Sequence, residues 1–595
     1  MKVVRPVLFR WIIALLVSLI GVCLTFGASL AQSIPGFDTP YLTLDPGMHL
    51  DPIQKMAINQ DESILATISL DKTVRIWSVS NLKVRKTIRI PMLPGEEGRL
   101  YAVAVSPSGG VVAVAGNTCN TWNSAYCIYL INTFNDKIPL KITGITEPVM
   151  DLDFSSDGEY LAAAVNNGAG LRVYRTSTGQ QVARDTTPGS GATWVQFSEG
   201  GNNVVTLGHD DRIRLYDRNF VLQMARQLPK NLRARSASFS PDGQKLAVVF
   251  TGKPYISVFS AKDLELLYLP DVTKLSGPLG SVAWSADGKS LYGAGSHMAH
   301  FKRIIRWWSN AGQPDSAGRG DFVELPVSTT PIQQILPLRN GGVLFTSAST
   351  AIGHLDAHGF LEATHKYPNV VFPKCRGFMK ISSSGDTISF PMTPENTLTG
   401  FFSLNQLEFF IKKNTSNTLM VPKRRAESFK LQATLSEGDT LLLRLNDAPL
   451  SGLEGEDVSC FAIARDERFF VASTNKALYL YDQAGALHWR MAVDSPVRAL
   501  NIPENDKFVI ATLFDGTVNW YHAASGKLEL SLFVNAENGE WIAWTPAFYY
   551  VASSKGESYL GWHRNTALDQ PATFIPVSQG KARFNKPEMI QNILN

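Results

Sequence analysis

The chain has 595 residues, 44% hydrophobic and 18% charged, which supplies ample apolar material for a core and excludes wholesale disorder. Lys and Arg number 56 against 52 Asp and Glu. Lys2, Arg5 and Arg10 crowd the first ten residues; the remainder is close to neutral and gives no electrostatic case for a nucleic-acid partner.

An uncharged apolar run over 11–26 follows those bases, and the small residues Ser29 and Ala31 come next. This order reads as a signal peptide over 1–31, cleaved between Ala31 and Gln32, for export to the periplasm or medium. The run is shorter than the roughly 20 residues that cross a bilayer comfortably. No stable membrane span therefore remains after cleavage; the alternative is an anchor formed by the uncleaved segment. Ile20-Gly21-Val22 before Cys23 fits a lipobox poorly. Cleavage leaves four cysteines. Cys119 and Cys127 flank a short stretch between two apolar runs and could strap a hairpin in an oxidising compartment. Cys375 and Cys460, far apart in sequence, read as buried thiols. Asn414-Thr415-Ser416 matches a glycosylation sequon, which matters only in a eukaryotic secretory host.

From about residue 50 one pattern recurs: a short apolar strand, a turn with Asp or Gly, a second apolar strand, a polar turn, and a third strand ending in an aromatic. Leu152-Asp153-Phe154 leads through Ser156-Asp157-Gly158 to Leu171-Arg172-Val173-Tyr174. Ala237-Ser238-Phe239 leads through Pro241-Asp242-Gly243 to Ile256-Ser257-Val258-Phe259. Val282-Ala283-Trp284 leads through Ala286-Asp287-Gly288 to the strand ending at Trp308. The first-strand markers Ile58, Val105, Phe154, Phe197, Phe239 and Trp284 fall 42 to 49 residues apart. The pattern returns at Ile463–Tyr481, Ile502–Tyr521 and Trp544–Trp562. Alternating strands bury one set of side chains on each face, so an isolated sheet stays wet and neighbours must stack. Four-stranded units at this period read as propeller blades.

Asp71-Lys72-Thr73-Val74-Arg75-Ile76-Trp77 resembles the end of a WD40 repeat, and Asp515-Gly516-Thr517-Val518-Asn519-Trp520-Tyr521 is similar. Tyr216-Asp217 and Tyr481-Asp482 stand where that family has its Trp-Asp pair. Its Gly-His dipeptide is missing from nearly all units. The resemblance implies an all-β fold of tandem WD40-like β-propellers with about 11–14 four-stranded blades, too many for one ring. A first propeller of about seven blades is expected over 45–365, and a degenerate second one of five to seven over 370–595. The C-terminal unit, from Gly539-Glu540-Trp541 to Phe584-Asn585-Lys586-Pro587, resembles the closing WD40-like unit of bacterial proteins that carry a caspase-like peptidase domain. No peptidase domain accompanies it. The tail beyond Trp562 holds too many apolar residues to hang free, and is expected to pack on the second ring.

His297 and His300, three apart on a loop, are the metal candidates, with His354 and His358 one unit later on what should be the opposite propeller face. Asp157, Asp242 and Asp287 occupy the same turn of their units, where Asp hydrogen-bonds its own backbone. Lys423-Arg424-Arg425 reads as a short solvated run. No nucleophile or phosphate-loop motif is visible, so neither catalytic residue nor cofactor is assigned. Tyr479 to Asp482, with Gly485 and Trp489, resembles one tryptophan-docking motif of quinone-dependent propeller enzymes, where many are needed. The expectation is an exported, non-enzymatic scaffold that binds a protein partner; the alternative is a propeller enzyme of quinoprotein or hydrolase type.

Overall fold

The computed structural model describes residues 34 and 36–594, except 120–124, 186, 188, 190, 230–231, 366–369, 371, 373–378, 393–397, 413–418, 436–440 and 455. The signal segment with Ala31 and Gln32, Cys23, Cys375 and the sequon lie outside the described residues. Met1–Asp38 forms one unit and Thr39–Asn595 another. In the first, residues 36–38 make a turn. All that follows concerns the second.

The described residues form twelve antiparallel sheets, nine of them four-stranded. Seven four-stranded sheets follow one another over 53–89, 100–145, 149–184, 192–227, 234–268, 279–328 and 332–365. These are blades one to seven below. In each, the strands pair in sequence order. The first strands of successive blades pack together, and that of blade seven returns to that of blade one, so the ring is closed. Every first strand carries a bulge at its second residue, between Ile53 and Lys55 in blade one and between Ile332 and Gln334 in blade seven. A bulge re-aims the side chain that follows it. Here those side chains, with others of the first strands, stitch blade to blade. Asp151 accepts from the Val195 N–H at 3.2 Å and Asp153 from that of Phe197 at 2.7 Å. Gln196 accepts from Phe239 N–H at 3.1 Å, and the Ser281 hydroxyl from Ile335 N–H at 3.2 Å.

The turn acids have the local role their spacing suggests. Asp157, Asp242 and Asp287 each accept from a serine hydroxyl two residues earlier and a backbone N–H two residues later. The glycine after each has positive φ, 73°, 69° and 70°, which a Cβ would strain. Third-strand aromatics such as Trp77, Tyr216 and Trp308 are buried between sheets. The fourth strands lie outside the recurring three-strand pattern. Leu222–Gln227 presents mostly exposed side chains, because the outermost strand borders solvent.

The second half contains sheets over 380–412, 431–449, 458–492 and 497–552, with four, three, four and six strands. Apolar clusters join 431–449 to 458–492, that sheet to 497–552, and 497–552 to 380–412. Between them, Ile381 exchanges backbone hydrogen bonds with Met420, and Ile463 N–H donates to Lys423 O at 2.9 Å. A fifth, three-stranded sheet joins Tyr41–Leu44, Leu560–Arg564 and Thr573–Pro576, so the strand nearest the N-terminus completes the C-terminal end. Beyond it, the short helices Lys581–Phe584 and Pro587–Gln591 lead to Ile590, fully buried in the core shared by 380–412 and 497–552.

Candidate functional site

One hydrogen-bond network sits at the start of the first blade. His49 reaches Asp71 Oδ2 at 2.9 Å through Nδ1 and Thr67 Oγ1 at 2.8 Å through Nε2. The same hydroxyl accepts from Trp77 Nε1 at 2.7 Å. Burial keeps His49 below the usual histidine range, against the pull of Asp71. Met48-His49 therefore fills the place of the missing Gly-His in this blade; a lone histidine ahead of the first strand was the available signal.

The two halves meet beside this network. Ser495 Oγ lies 2.5 Å from Asp51 Oδ1 and accepts from Asp515 N–H at 3.0 Å. Asp494 pairs with Lys72 at 3.2 Å and accepts from Gly95 N–H at 3.0 Å. The Asn565 amide binds both the N–H and the carbonyl of Met92. Asp45, just after the N-terminal strand, pairs with Arg75 at 2.8 Å and Arg89 at 2.5 Å. Burial pushes Asp515 up to about 6.

An open groove of about 430 Å³ runs along the side of the first ring, between the outermost strand of blade two and the last two strands of blade three. Leu140–Ile145 forms one wall. Arg172, Tyr174, Gln181 and Arg184 form the other, and the turn at Thr178-Gly179 also lines it. Lys141, Arg172 and Arg184 are its charged residues.

The sequence candidates distribute differently. His297 is turned inward: its Nδ1 accepts from Ser276 N–H at 3.0 Å and its Nε2 lies 3.4 Å from Glu324. His300 is exposed in the turn, beside Phe301, which is 92% exposed. That turn joins the second and third strands of its blade, because a fourth strand, Phe322–Ser328, follows the third. His354 pairs with Glu362 at 3.1 Å, and His358 is exposed in a different turn. Among the described residues no three His, Cys, Asp or Glu are grouped to hold a metal ion. Cys119 and Cys127 are joined, with Cα atoms 5.7 Å apart, at the hairpin of blade two; Cys460 is buried.

Lys423-Arg424-Arg425 is not simply solvated. Lys423 pairs with Glu467 at 2.7 Å, and Arg424 lies over the Phe461 ring at 5.4 Å. Trp489 Nε1 donates to Ala523 O at 2.8 Å, and its ring lies so close over Gly526 that a Cβ there would stand 2.8 Å away. The docking motif thus joins two neighbouring sheets.

Residues 42–78 match the family described as WD domain, G-beta repeat, and they hold the His49–Thr67–Trp77 network. The chain carries a WD40 repeat and is built of WD40-like blades. It is 29% identical over 169 residues to cilia- and flagella-associated protein 57 A of Tetrahymena thermophila, covering 28% of this chain and 12% of that protein. It is 26% identical over 173 residues to an uncharacterized WD repeat-containing protein of Synechocystis sp., covering 28% of this chain and 46% of that one. The matched stretches thus span less than half of either relative. No helix among the described residues of this WD40-repeat chain is long and apolar enough to cross a membrane.

Proposed function

We propose that this WD40-repeat protein is an exported, non-catalytic scaffold that holds protein partners in the periplasm or cell envelope. The reading divides the mature chain into a first propeller over 45–365 and a degenerate second one over 370–595. The observation that carries it is the closed seven-blade ring with its WD40 repeat: a stiff frame that presents many loops and outer edges, where binding usually resides. The basic N-terminus, apolar run and Ser29–Ala31 support export with cleavage before Gln32.

Cross-linking in intact cells, followed by capture of the tagged protein, tests the scaffold. Discrete protein partners are expected; a monomer without partners, or a purified protein with the visible band of a bound quinone, overturns it. N-terminal sequencing of the exported form should return Gln32. A sequence beginning at Met1 would replace export by cleavage with an anchor.

A further inference from the structure

Four third strands carry an arginine two residues before the closing aromatic: Arg75 before Trp77, Arg172 before Tyr174, Arg214 before Tyr216 and Arg306 before Trp308. Three of them meet a carboxylate. Arg75 pairs with Asp45 at 2.8 Å, Arg306 with Glu324 at 2.5 Å, and Arg214 with Asp210. Among the described residues Arg172 has no carboxylate within ion-pair distance, and its Nη1 is shielded from solvent with no described hydrogen-bond partner.

Arg75 and Arg214 find their acids off the facing strand, opposite Thr87 and Ala225, whereas Arg306 and Arg172 are told apart by the residue opposite. On the fourth strand of blade six, Glu324 faces Arg306 directly. In blade three the position facing Arg172 holds Arg184. Like charges directly opposite on a sheet oppose pairing. Burial, with Arg184 adding to it, lowers Arg172 below the usual arginine range, against the opposing pull of Tyr174 and, at longer range, Asp185. The next acid along the chain, Asp185, is turned towards blade four, where it accepts from Tyr216 OH at 2.6 Å and lies 3.9 Å from Arg214.

Both arginines line the groove, and Lys141 joins them from its other wall. Among the described residues Lys141 reaches a backbone carbonyl, Leu568 O at 3.4 Å, with Asp569 acting at longer range. The wall Leu140–Ile145 is the outermost strand of its sheet, and no described strand pairs with its outer edge. Such an edge can accept an extended segment through main-chain hydrogen bonds, while side-chain contacts supply specificity.

We propose that this groove binds an extended acidic segment of a protein partner, pairing along Leu140–Ile145 and placing a carboxylate between Arg172 and Arg184. The ligand carboxylate takes the place that Glu324 holds beside Arg306. This inference rests on the scaffold reading and names one surface through which a partner binds.

The test uses the full mature chain and a short fluorescein-labelled peptide alternating valine and glutamate, with its glutamine counterpart as control. The glutamate peptide should bind, weaken as salt rises, and outbind the control by at least tenfold. Arg184→Glu should build the missing pair within the sheet: it should melt at or above the wild-type temperature and lose the glutamate peptide at least tenfold. Arg172→Gln should lose it likewise. Failure of the peptide to bind the wild type, equal binding of the two peptides, or undiminished binding to both folded variants overturns the site, as does competition by inorganic phosphate as effective as that of unlabelled glutamate peptide. If Arg184→Glu binds no peptide yet still captures the cross-linked partners in full, this groove does not serve them and the scaffold reading stands; if the wild type captures none, the scaffold reading itself fails.

Discussion

The side-chain amide of Gln334 grips the backbone of Met56 twice: Nε2 donates to the carbonyl at 2.9 Å, and Oε1 accepts from the N–H at 2.8 Å. The two residues are 278 positions apart and lie on the first strands of blades seven and one. The contact closes the ring at the seam where chain connectivity cannot. Gln196 makes one such bond, accepting from Phe239 N–H, and the two bonds between blades three and four need two side chains, Asp151 and Asp153.

Gln334→Leu should therefore open the seam. Two backbone groups lose their partners in a part-buried setting, at about 1–3 kcal/mol each for an unsatisfied group. Urea unfolding should show a loss of roughly 2–4 kcal/mol, larger than that of Gln196→Leu. Equal effects would mean that the seam is no weaker than any other blade junction.

Asp153 gives a pH dependence of definite sign. Burial pushes its carboxyl up to about 7, against the hydrogen bond from Phe197 N–H. In the unfolded chain it ionises near 4. As pH rises between those values the unfolded state releases its proton first, so the folded state loses stability and regains none above pH 7. Asp153→Asn keeps an acceptor for Phe197 and removes the charge. The variant should exceed the wild type by roughly 2–4 kcal/mol at pH 8 and lose the advantage at pH 4, read from urea midpoints across that range. A constant difference at all pH values would show that Asp153 does not titrate in this window.

Cys119 and Cys127 close a hairpin loop beside buried Tyr129. Non-reducing peptide mapping of exported protein should recover the two linked. Replacing both by serine should cost about 2–3 kcal/mol, as the entropy of so short a loop allows. Free thiols at both positions would count against an oxidising compartment as well as against the bond.

Deletion of 566–595 removes Thr573–Pro576 from its pairing with Leu560–Arg564 and strips Val577 and Ile590 from two apolar clusters. The bared strand edge invites pairing with other chains. The truncated protein should melt several degrees lower and aggregate on heating, which light scattering would register. A soluble truncated form with the full-length melting temperature would separate the tail from the fold.

The sequence by itself determined the repeat. The first three strands of most blades, their Asp-Gly turns and their closing aromatics follow from short-range alternation and local turn chemistry, which a window of about twenty residues contains. It was silent where the interaction partner lies outside that window. Gln181–Arg184, the fourth strand of blade three, borders solvent and carries no apolar alternation. Tyr41–Leu44 pairs with Leu560–Arg564 across almost the whole chain, and Gln334 finds Met56 across the ring. The four arginines are alike in sequence; only the register of the fourth strand decides that Arg306 faces Glu324 and Arg172 faces Arg184. Likewise His297 and His300 are close in sequence, yet one is turned inward and the other faces solvent, because the hairpin that joins them carries one side chain towards Glu324 and leaves the other on its turn. Local pattern fixes which residues make strands; which charges meet depends on strand register and blade neighbours, and these exist only once the ring has closed.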